Sequence, residues 1–317
     1  TGNASSLFTQ NRMNLTDNLI LTPGLRIENF NYKRDISRLN YIDTSITNNN
    51  SVFAVIPGIG INYNISNSFS LFAGAHKGFA PPRIKDAITS DGEALELDAE
   101  SSWNYEIGVR ANFAATIHFE LTGFRLDFSN QIIPVSESSG GGGTGLVNGG
   151  RTLHTGIEAG IRFDFHRLFN SNYIISLAMN STFVNSNYNA DRFIEVNSES
   201  INIKDNKLPY SPELTLTGLF DIVAPFGLGL HFAANYISNQ FTDEINTANP
   251  SPSGEIGIMP AYLVLDLTST YNIPEINSTI FVSIKNLLDE RFIASRRPQG
   301  IKVGLPRFIT AGIELTL

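Results

Sequence analysis

Apolar and polar residues alternate along most of the chain with a period of two. The segment WNYEIGVRA places Trp103, Ile107 and Val109 on one phase and Glu106 and Arg110 on the other. Because successive side chains of a β-strand point to opposite faces of a sheet, this period predicts strands with one apolar and one polar face. Helical spacing is rare by comparison. The pattern therefore predicts an all-β protein.

The same alternation recurs in several distant segments, and it assigns charged residues to the polar face of each. Ile157 and Ile161 alternate with Glu158 and Arg162, Leu228 and Phe232 alternate with His231, and Ile313 and Leu315 alternate with Glu314. If these strands lie in one sheet, we expect the apolar set on an outer wall and the charged set on an inner wall.

About 13 strands of this kind can be marked on the sequence. They fall near residues 4–15, 19–33, 52–65, 69–77, 98–112, 116–129, 151–166, 173–185, 208–222, 227–238, 260–271, 278–286 and 305–317. Their spacing is far wider than the 8–12 residues typical of a β-sandwich.

The connections between these strands alternate in length. Short connections lie at 16–18, 66–68, 113–115, 167–172, 223–226 and 272–277, and long ones cover 34–51, 78–97, 130–150, 186–207, 239–259 and 287–304. Such sorting is typical of a transmembrane antiparallel β-barrel, which has short periplasmic turns and long external loops. In lipid every backbone group must be paired, so a sheet can span only as a barrel. A large soluble β protein with one-sided strands is the alternative.

One segment breaks the pattern, because Arg125 in LTGFRLDF falls on the apolar phase. This position predicts either a β-bulge or a strand end that stands clear of the lipid.

The composition excludes several classes of binding partner and of catalytic chemistry. The chain has 317 residues, a formal net charge of −8 and no cysteine, so disulfides and thiolate chemistry are excluded. The acidic balance and scattered cations argue against a nucleic-acid partner. The five histidines lack metal-ligand spacing, and neither a phosphate-binding loop nor a Gly-x-Ser-x-Gly frame is present. We therefore expect no catalytic residue, no bound metal and no cofactor.

Several segments resemble TonB-dependent outer-membrane receptors, in particular the ferric citrate receptor group. They are LTPGLRIENF (21–30), HKGFAPPR (76–83), ESSWNYEIGVR (100–110), NGGRTLHTGIEAG (148–160) and, most specifically, NLLDERFIASRRPQGIKVGLPR (286–307). The resemblance implies a non-enzymatic receptor in the bacterial outer membrane, surrounded by lipid. It would import a ferric chelate, most plausibly ferric citrate or another siderophore, with energy from the TonB complex. A passive pore and a surface-binding barrel are the alternatives.

Such receptors combine an N-terminal plug domain and a TonB box with a barrel of 22 strands. The sequence contains no candidate for the plug or the box. The resemblance therefore assigns residues 1–317 to the C-terminal portion of the barrel, with about nine strands missing. From this count we expect an incomplete, C-shaped sheet whose open seam lies between residues 4–15 and 305–317.

Five cations in the long loops are candidate ligand contacts. They are Arg296 and Arg297 in SRRPQG, Arg83 and Lys85 in PPRIKDA, and Arg192 in NADRFIE. A guanidinium group can pair bidentately with a carboxylate such as those of a citrate chelate. The alternative is a structural role, in which the arginines pack a loop onto its neighbours.

The charged residues of the polar phase predict the lining of a lumen, which would be the wall against which a plug docks. The predicted lumenal residues are Glu106, Arg110, Glu158, Arg162, His231 and Glu314, together with Arg26, Glu28, Asp164, Asp266 and Lys285. Mutual charge pairing in a wet lumen is the alternative to any role in binding.

Overall fold

The computed structural model describes residues 2–39, 41–81, 99–113, 116–129, 132–134, 146–148, 150–196, 198–298 and 300–315. Within these residues one antiparallel sheet of 14 strands dominates the structure. Its strands are β1 (Gly2–Gln10), β2 (Met13–Asn14), β3 (Leu19–Leu39), β4 (Ile42–Ser66), β5 (Phe69–Ala80), β6 (Glu100–Phe113), β7 (Ile117–Ser129), β10 (Thr152–Asp164), β11 (Ile174–Tyr188), β14 (Leu214–Val223), β15 (Leu228–Ile237), β16 (Tyr262–Ile273), β17 (Ser278–Lys285) and β20 (Phe308–Leu315).

Every long strand pairs with its neighbours along the chain, from β1 through β3 to β20, and only the short β2 lies off this path. The path contains 13 strands, which confirms the count made from the alternation. Among the described residues, β1 pairs only with β3, and β20 pairs only with β17. The prediction of an open sheet, with its seam between the first and last of these strands, is therefore confirmed.

The connections are sorted by length between the two ends of the sheet, as predicted. At one end the turns are short, and two contain a single helical turn: α1 (Phe165–Leu168) and a 3-10 helix at Pro274–Ile276. The other end carries the long connections. Three of these contain small hairpins, formed by β8 (Ile132–Pro134) with β9 (Leu146–Asn148), β12 (Phe193–Val196) with β13 (Glu199–Asn202), and β18 (Ile293–Ser295) with β19 (Lys302–Val303). We call this the loop end.

The predicted long loop at 34–51 is wrong. Strands β3 and β4 continue through it as one hairpin, whose ladder runs from Leu19–Tyr63 to Leu39–Ile42. The extension carries polar residues on both faces, so it lacks the apolar alternation that marked the other strands. Thr47 donates a 2.7 Å hydrogen bond to Asp35, and Lys33 lies 3.1 Å from it. Both contacts hold the pKa of the Asp35 carboxyl below its usual range.

The bulge considered at Arg125 is also wrong. β7 pairs without a register shift with β6 on one side and with β10 on the other, and Arg125 lies opposite Tyr105 and Thr155. The arginine therefore sits on the same face as the apolar residues.

The register places the two predicted sets of residues on opposite faces of the sheet. Ile107 is aligned with Gly123 and Ile157, whereas Glu158 is aligned with Thr122 and Arg110 with Glu120. On the apolar face the residues Ile107 and Ile313 are 68% and 65% exposed. Because large apolar side chains at this exposure are unfavourable in water, that face requires an apolar medium.

Side-chain burial is concentrated at the loop end. The largest fully buried side chains are those of Ile203, Met259, Glu244, Thr152 and Thr242, and all of them lie at or near the long loops. In the described part of the chain, no helix is long and apolar enough to cross a membrane.

Candidate functional site

Charged residues on the polar face pair with each other, both across neighbouring strands and within one strand. Arg110 donates to both carboxylate oxygens of Glu120, at 2.8 and 3.3 Å, and its guanidinium lies 4.2 Å from the ring centroid of Phe72. Arg162 donates to Asp164 at 3.2 Å. Because both arginines are half exposed, these pairs contribute little to stability. They hold the side chains against the wall.

A hydrogen-bonded chain crosses three strands of the same face near the short turns. Nδ1 of His231 lies 2.7 Å from Asp221, and Nε2 lies 3.3 Å from the Thr270 hydroxyl. One strand further on, Lys285 donates to Asp266 at 2.9 Å. Lys285 is therefore neutralised locally, and both ring nitrogens of His231 have partners on the wall.

Three carboxylates on this face differ from the paired residues. Glu106, Glu158 and Glu314 are exposed, and none of them forms an ion pair with another described residue. Glu106 lies over Gly74, where an added Cβ would come within 2.8 Å of its carboxylate. The register thus brings all six predicted lumenal residues to one face, where acidic groups are in excess.

Arg296 is enclosed where three long loops meet. Its side chain donates to the backbone carbonyl oxygens of Gly254 and Ile258, at 3.0 and 3.1 Å, and the residue is 4% exposed. Its backbone N–H donates to the Tyr210 hydroxyl at 3.3 Å. A guanidinium enclosed in this way joins loops, so its position favours the structural alternative considered from the sequence.

Arg297 lies beside Arg296 but is only half buried. It donates to the carbonyl oxygen of Thr242, and its guanidinium lies 5.0 Å from the ring centroid of Tyr210. The loops that follow β11, β15 and β17 are therefore connected through Tyr210, Thr242, Arg296 and Arg297. We call these four residues the loop clamp.

Two polar networks beside the loop clamp were not found from the sequence. Asp243 is buried and accepts two hydrogen bonds from Thr247, at 2.9 and 2.6 Å. Asn246 exchanges hydrogen bonds of 2.8 Å with the backbone of Lys207, across 39 residues of chain. Asn246 has positive φ, which asparagine tolerates better than most residues. The local signal was an asparagine in a turn, but its distant partner could not be inferred from the sequence.

Asn286 organises the last long loop. It is 2% exposed, its side-chain nitrogen donates to the carbonyls of Glu290 and Leu305, and its side-chain oxygen Oδ1 accepts the Glu290 N–H at 2.8 Å. Asp289 accepts the Arg307 N–H at 2.9 Å. These contacts connect the start of the last long loop to its end, and Asn286 and Asp289 were not found from the sequence.

Arg192, another candidate loop cation, lies beside Tyr188. The guanidinium of Arg192 lies 5.7 Å from the ring centroid of Tyr188, and the backbone N–H of Arg192 donates to the Asn202 side chain at 3.3 Å. Arg83 and Lys85 lie outside the described residues.

The open antiparallel sheet, its apolar outer face and its sorted connections together define the wall of a transmembrane β-barrel. A family model described as TonB dependent receptor-like, beta-barrel, matches residues 1–287. The chain belongs to this family, and it is an outer-membrane protein.

Solved structures of the same class superpose on nearly the whole chain. They include the ferric citrate transporter FecA in its unliganded form (22% identity, TM-score 0.75), the ferric yersiniabactin uptake receptor FyuA from Yersinia pestis (18%, 0.76) and the copper transporter OprC (13%, 0.72). The matches cover 97%, 99% and 99% of this chain but 44%, 45% and 48% of those proteins. The chain thus spans less than half of their length, and at these identities the likeness shows the fold alone.

Proposed function

We propose that this chain is part of an outer-membrane receptor that actively imports a metal chelate. The cargo we infer is a ferric chelate, either ferric citrate or another siderophore complex. Energy would come from the TonB complex, through a plug domain lying outside residues 1–317. The observation that carries this proposal is the loop clamp, because it joins three long loops into one structured surface above the polar wall.

The accessible loop cations supply the chemistry for an anionic chelate. Arg297 and Arg192 are half buried and lie near the rings of Tyr210 and Tyr188. A planar guanidinium at a ring face can form a bidentate pair with a carboxylate. We therefore assign ligand contact to Arg297 and Arg192, with Arg83 and Lys85 as further candidates, and we assign Arg296 to the support of Arg297.

Uptake of radiolabelled ferric citrate by cells that produce the full-length receptor tests the proposal. Matched strains with and without TonB separate active transport from leakage. We expect uptake that requires TonB. Uptake that persists without TonB would instead establish a passive pore, and binding without uptake would establish a surface-binding barrel.

The ligand contacts are tested in the same assay. Losing one charged hydrogen-bonded contact costs about 1.5–3 kcal/mol, so Arg297→Ala should weaken chelate binding by roughly 10- to 150-fold. Lys302→Ala is the matched control, because Lys302 is exposed on the same loop. Equal uptake by Arg297→Ala, Arg192→Ala and the control would remove these residues from the binding surface. A panel that includes copper and other iron chelates would define the cargo.

A further inference from the structure

Arg125 is a cation on the face of the sheet that contacts lipid. It lies near the loop end of β7, aligned with Tyr105 on β6 and Thr155 on β10. One of its nitrogens lies 3.4 Å from Asp127, and half of its side chain is exposed. Charged side chains on the lipid face of a barrel are unfavourable near the membrane midplane and tolerated near its edges. Neither the fold nor the proposed transport explains this residue.

A groove in the outer wall runs directly beside Arg125. Its volume is about 680 Å³, and its lining includes Tyr105, Ile107, Gly123, Arg125, Ile157 and Phe183. Gly123 forms the floor, since a Cβ added there would meet only Ile107, at 3.9 Å. A second depression of about 360 Å³ shares Ile107 and Gly123 and continues toward Leu71 and Val109. The two depressions therefore adjoin at Ile107 and Gly123.

The groove is polar at one end and apolar at the other. Arg125, Thr155 and Asn185 line the end nearest the long loops, whereas Ile107, Ile157 and Phe183 line the part nearer the middle of the strands. This polarity matches a lipid, which has a polar head at the membrane surface and an acyl chain in the interior.

A second cation, Lys77, lies on the same face two strands from Arg125, outside the residues that line the groove. Lys77 on β5 is aligned with Trp103 on β6, which stacks on Tyr105 with 6.1 Å between ring centroids. Lys77 forms no ion pair with another described residue. Asp127 offsets one charge, which leaves Lys77, Arg125 and Asp127 with a net charge of +1. The five N–H donors of a guanidinium allow Arg125 to hold Asp127 and a phosphate oxygen together.

We propose that this groove binds one phosphorylated lipid of the outer leaflet, of the lipid A type. Arg125 and Lys77 would hold its phosphate group, Tyr105 and Trp103 would flank the head, and one acyl chain would lie over Gly123. The phosphate is inferred from charge complementarity, and the acyl chain from the shape and apolar lining of the groove. This site goes beyond transport, because Arg125, Tyr105 and Thr155 lie on the outer wall and outside the loop clamp. The intervening strand residues Gly74, Glu106, Phe124 and Gly156 also border the groove.

Native mass spectrometry of the full-length protein in detergent, titrated with lipid A, tests the proposal. We expect one lipid A bound with higher affinity than any other, and about tenfold weaker binding for each cation removed in Arg125→Gln and Lys77→Gln. Gly123→Leu should also weaken binding, because its side chain occupies the floor of the groove. Dephosphorylated lipid A should bind the wild-type protein as weakly as lipid A binds the double cation variant.

Two controls separate this site from general lipid adhesion. Gly218→Leu changes the same wall elsewhere, where an added Cβ meets only Ala234 at 3.9 Å. Lys302→Gln removes a cation from an exposed loop. Both should bind lipid A as the wild type does, and heat-modifiable migration in gels verifies that every variant is folded.

Three results would overturn the proposal. They are wild-type binding by the Arg125→Gln, Lys77→Gln double variant, equal binding of dephosphorylated lipid A, and equal losses in Gly218→Leu and Gly123→Leu. Wild-type binding by Gly123→Leu, combined with loss in the cation variants, would also overturn the site as described, because it would show that a phosphate group binds without a chain in the groove.

Discussion

Replacing Arg296 with alanine should loosen the loops that the loop clamp connects. In the native protein the enclosed guanidinium satisfies the carbonyl oxygens of Gly254 and Ile258. Alanine removes both donors and leaves a cavity at the junction of the loops. The sheet itself should be unaffected, because Arg296 contacts loop residues rather than the strands.

The size of the effect follows from burial and from the number of contacts. Arg296 is 4% exposed, and Gly254 is also buried. Leaving a buried carbonyl without a donor costs about 1–3 kcal/mol. Two carbonyls would give up to about 6 kcal/mol, but water that enters the cavity recovers part of this, so we expect a local loss of about 2–4 kcal/mol.

Hydrogen exchange measured by mass spectrometry provides the assay. The reporters are backbone amides of the loop between β15 and β16, where Gln240 and Met259 exchange N–H to O bonds of 3.1 and 2.9 Å. A loss of about 2–4 kcal/mol should accelerate their exchange by roughly 30- to 700-fold. Amides of β6 and β7 should exchange as before.

The comparison with Arg297→Ala makes the experiment decisive. Arg297 is half buried and donates one hydrogen bond to the backbone of Thr242, so its loss should cost only about 1 kcal/mol. Equal acceleration by the two variants would refute the reasoning that burial gives Arg296 the larger role. Unchanged exchange in Arg296→Ala would show that the loops are held together without the loop clamp.

Three further predictions concern the last loop, the strand packing and the two faces. Asn286→Ala should accelerate amide exchange in residues 287–307, because alanine loses three side-chain bonds and adopts the positive φ of 51° less readily. Gly156→Ala should impair folding, measured as heat-modifiable migration, because its Cβ would lie 2.3 Å from a backbone oxygen, whereas Gly123→Ala should fold normally. The chain has no cysteine, so Glu106→Cys and Ile107→Cys can be compared directly. A membrane-impermeant maleimide should label only Glu106→Cys, and the reverse result would exchange the faces.

The strands could be predicted because a membrane barrel imposes the same alternation on each of them. Each strand needs apolar residues on one face and tolerates polar residues on the other, whatever its partners. Where this alternation is no longer required, the ends of the strands were predicted wrongly. The β3–β4 hairpin extends beyond the expected strand ends through polar pairs such as Asp35 and Thr47, and its sequence resembles an ordinary polar loop.

The roles of the loop residues were less accessible from the sequence. SRRPQG showed two adjacent arginines and allowed both a binding and a packing role. The difference in burial between Arg296 and Arg297 depends on contacts with residues 38–55 positions away in the sequence. These contacts enclose Arg296 and leave Arg297 half exposed. Asn246 and Asn286 act in the same way, through backbone groups brought close by folding.

The sequence by itself determined the class of fold, the number of long strands and the face on which each alternating residue lies. These follow from a period of two that every strand repeats independently. Only the tertiary structure decided which loop cations are enclosed and which are accessible, and that Arg125 borders a groove in the outer wall. Those properties depend on contacts between segments distant in sequence, and no local pattern records the space that such segments enclose.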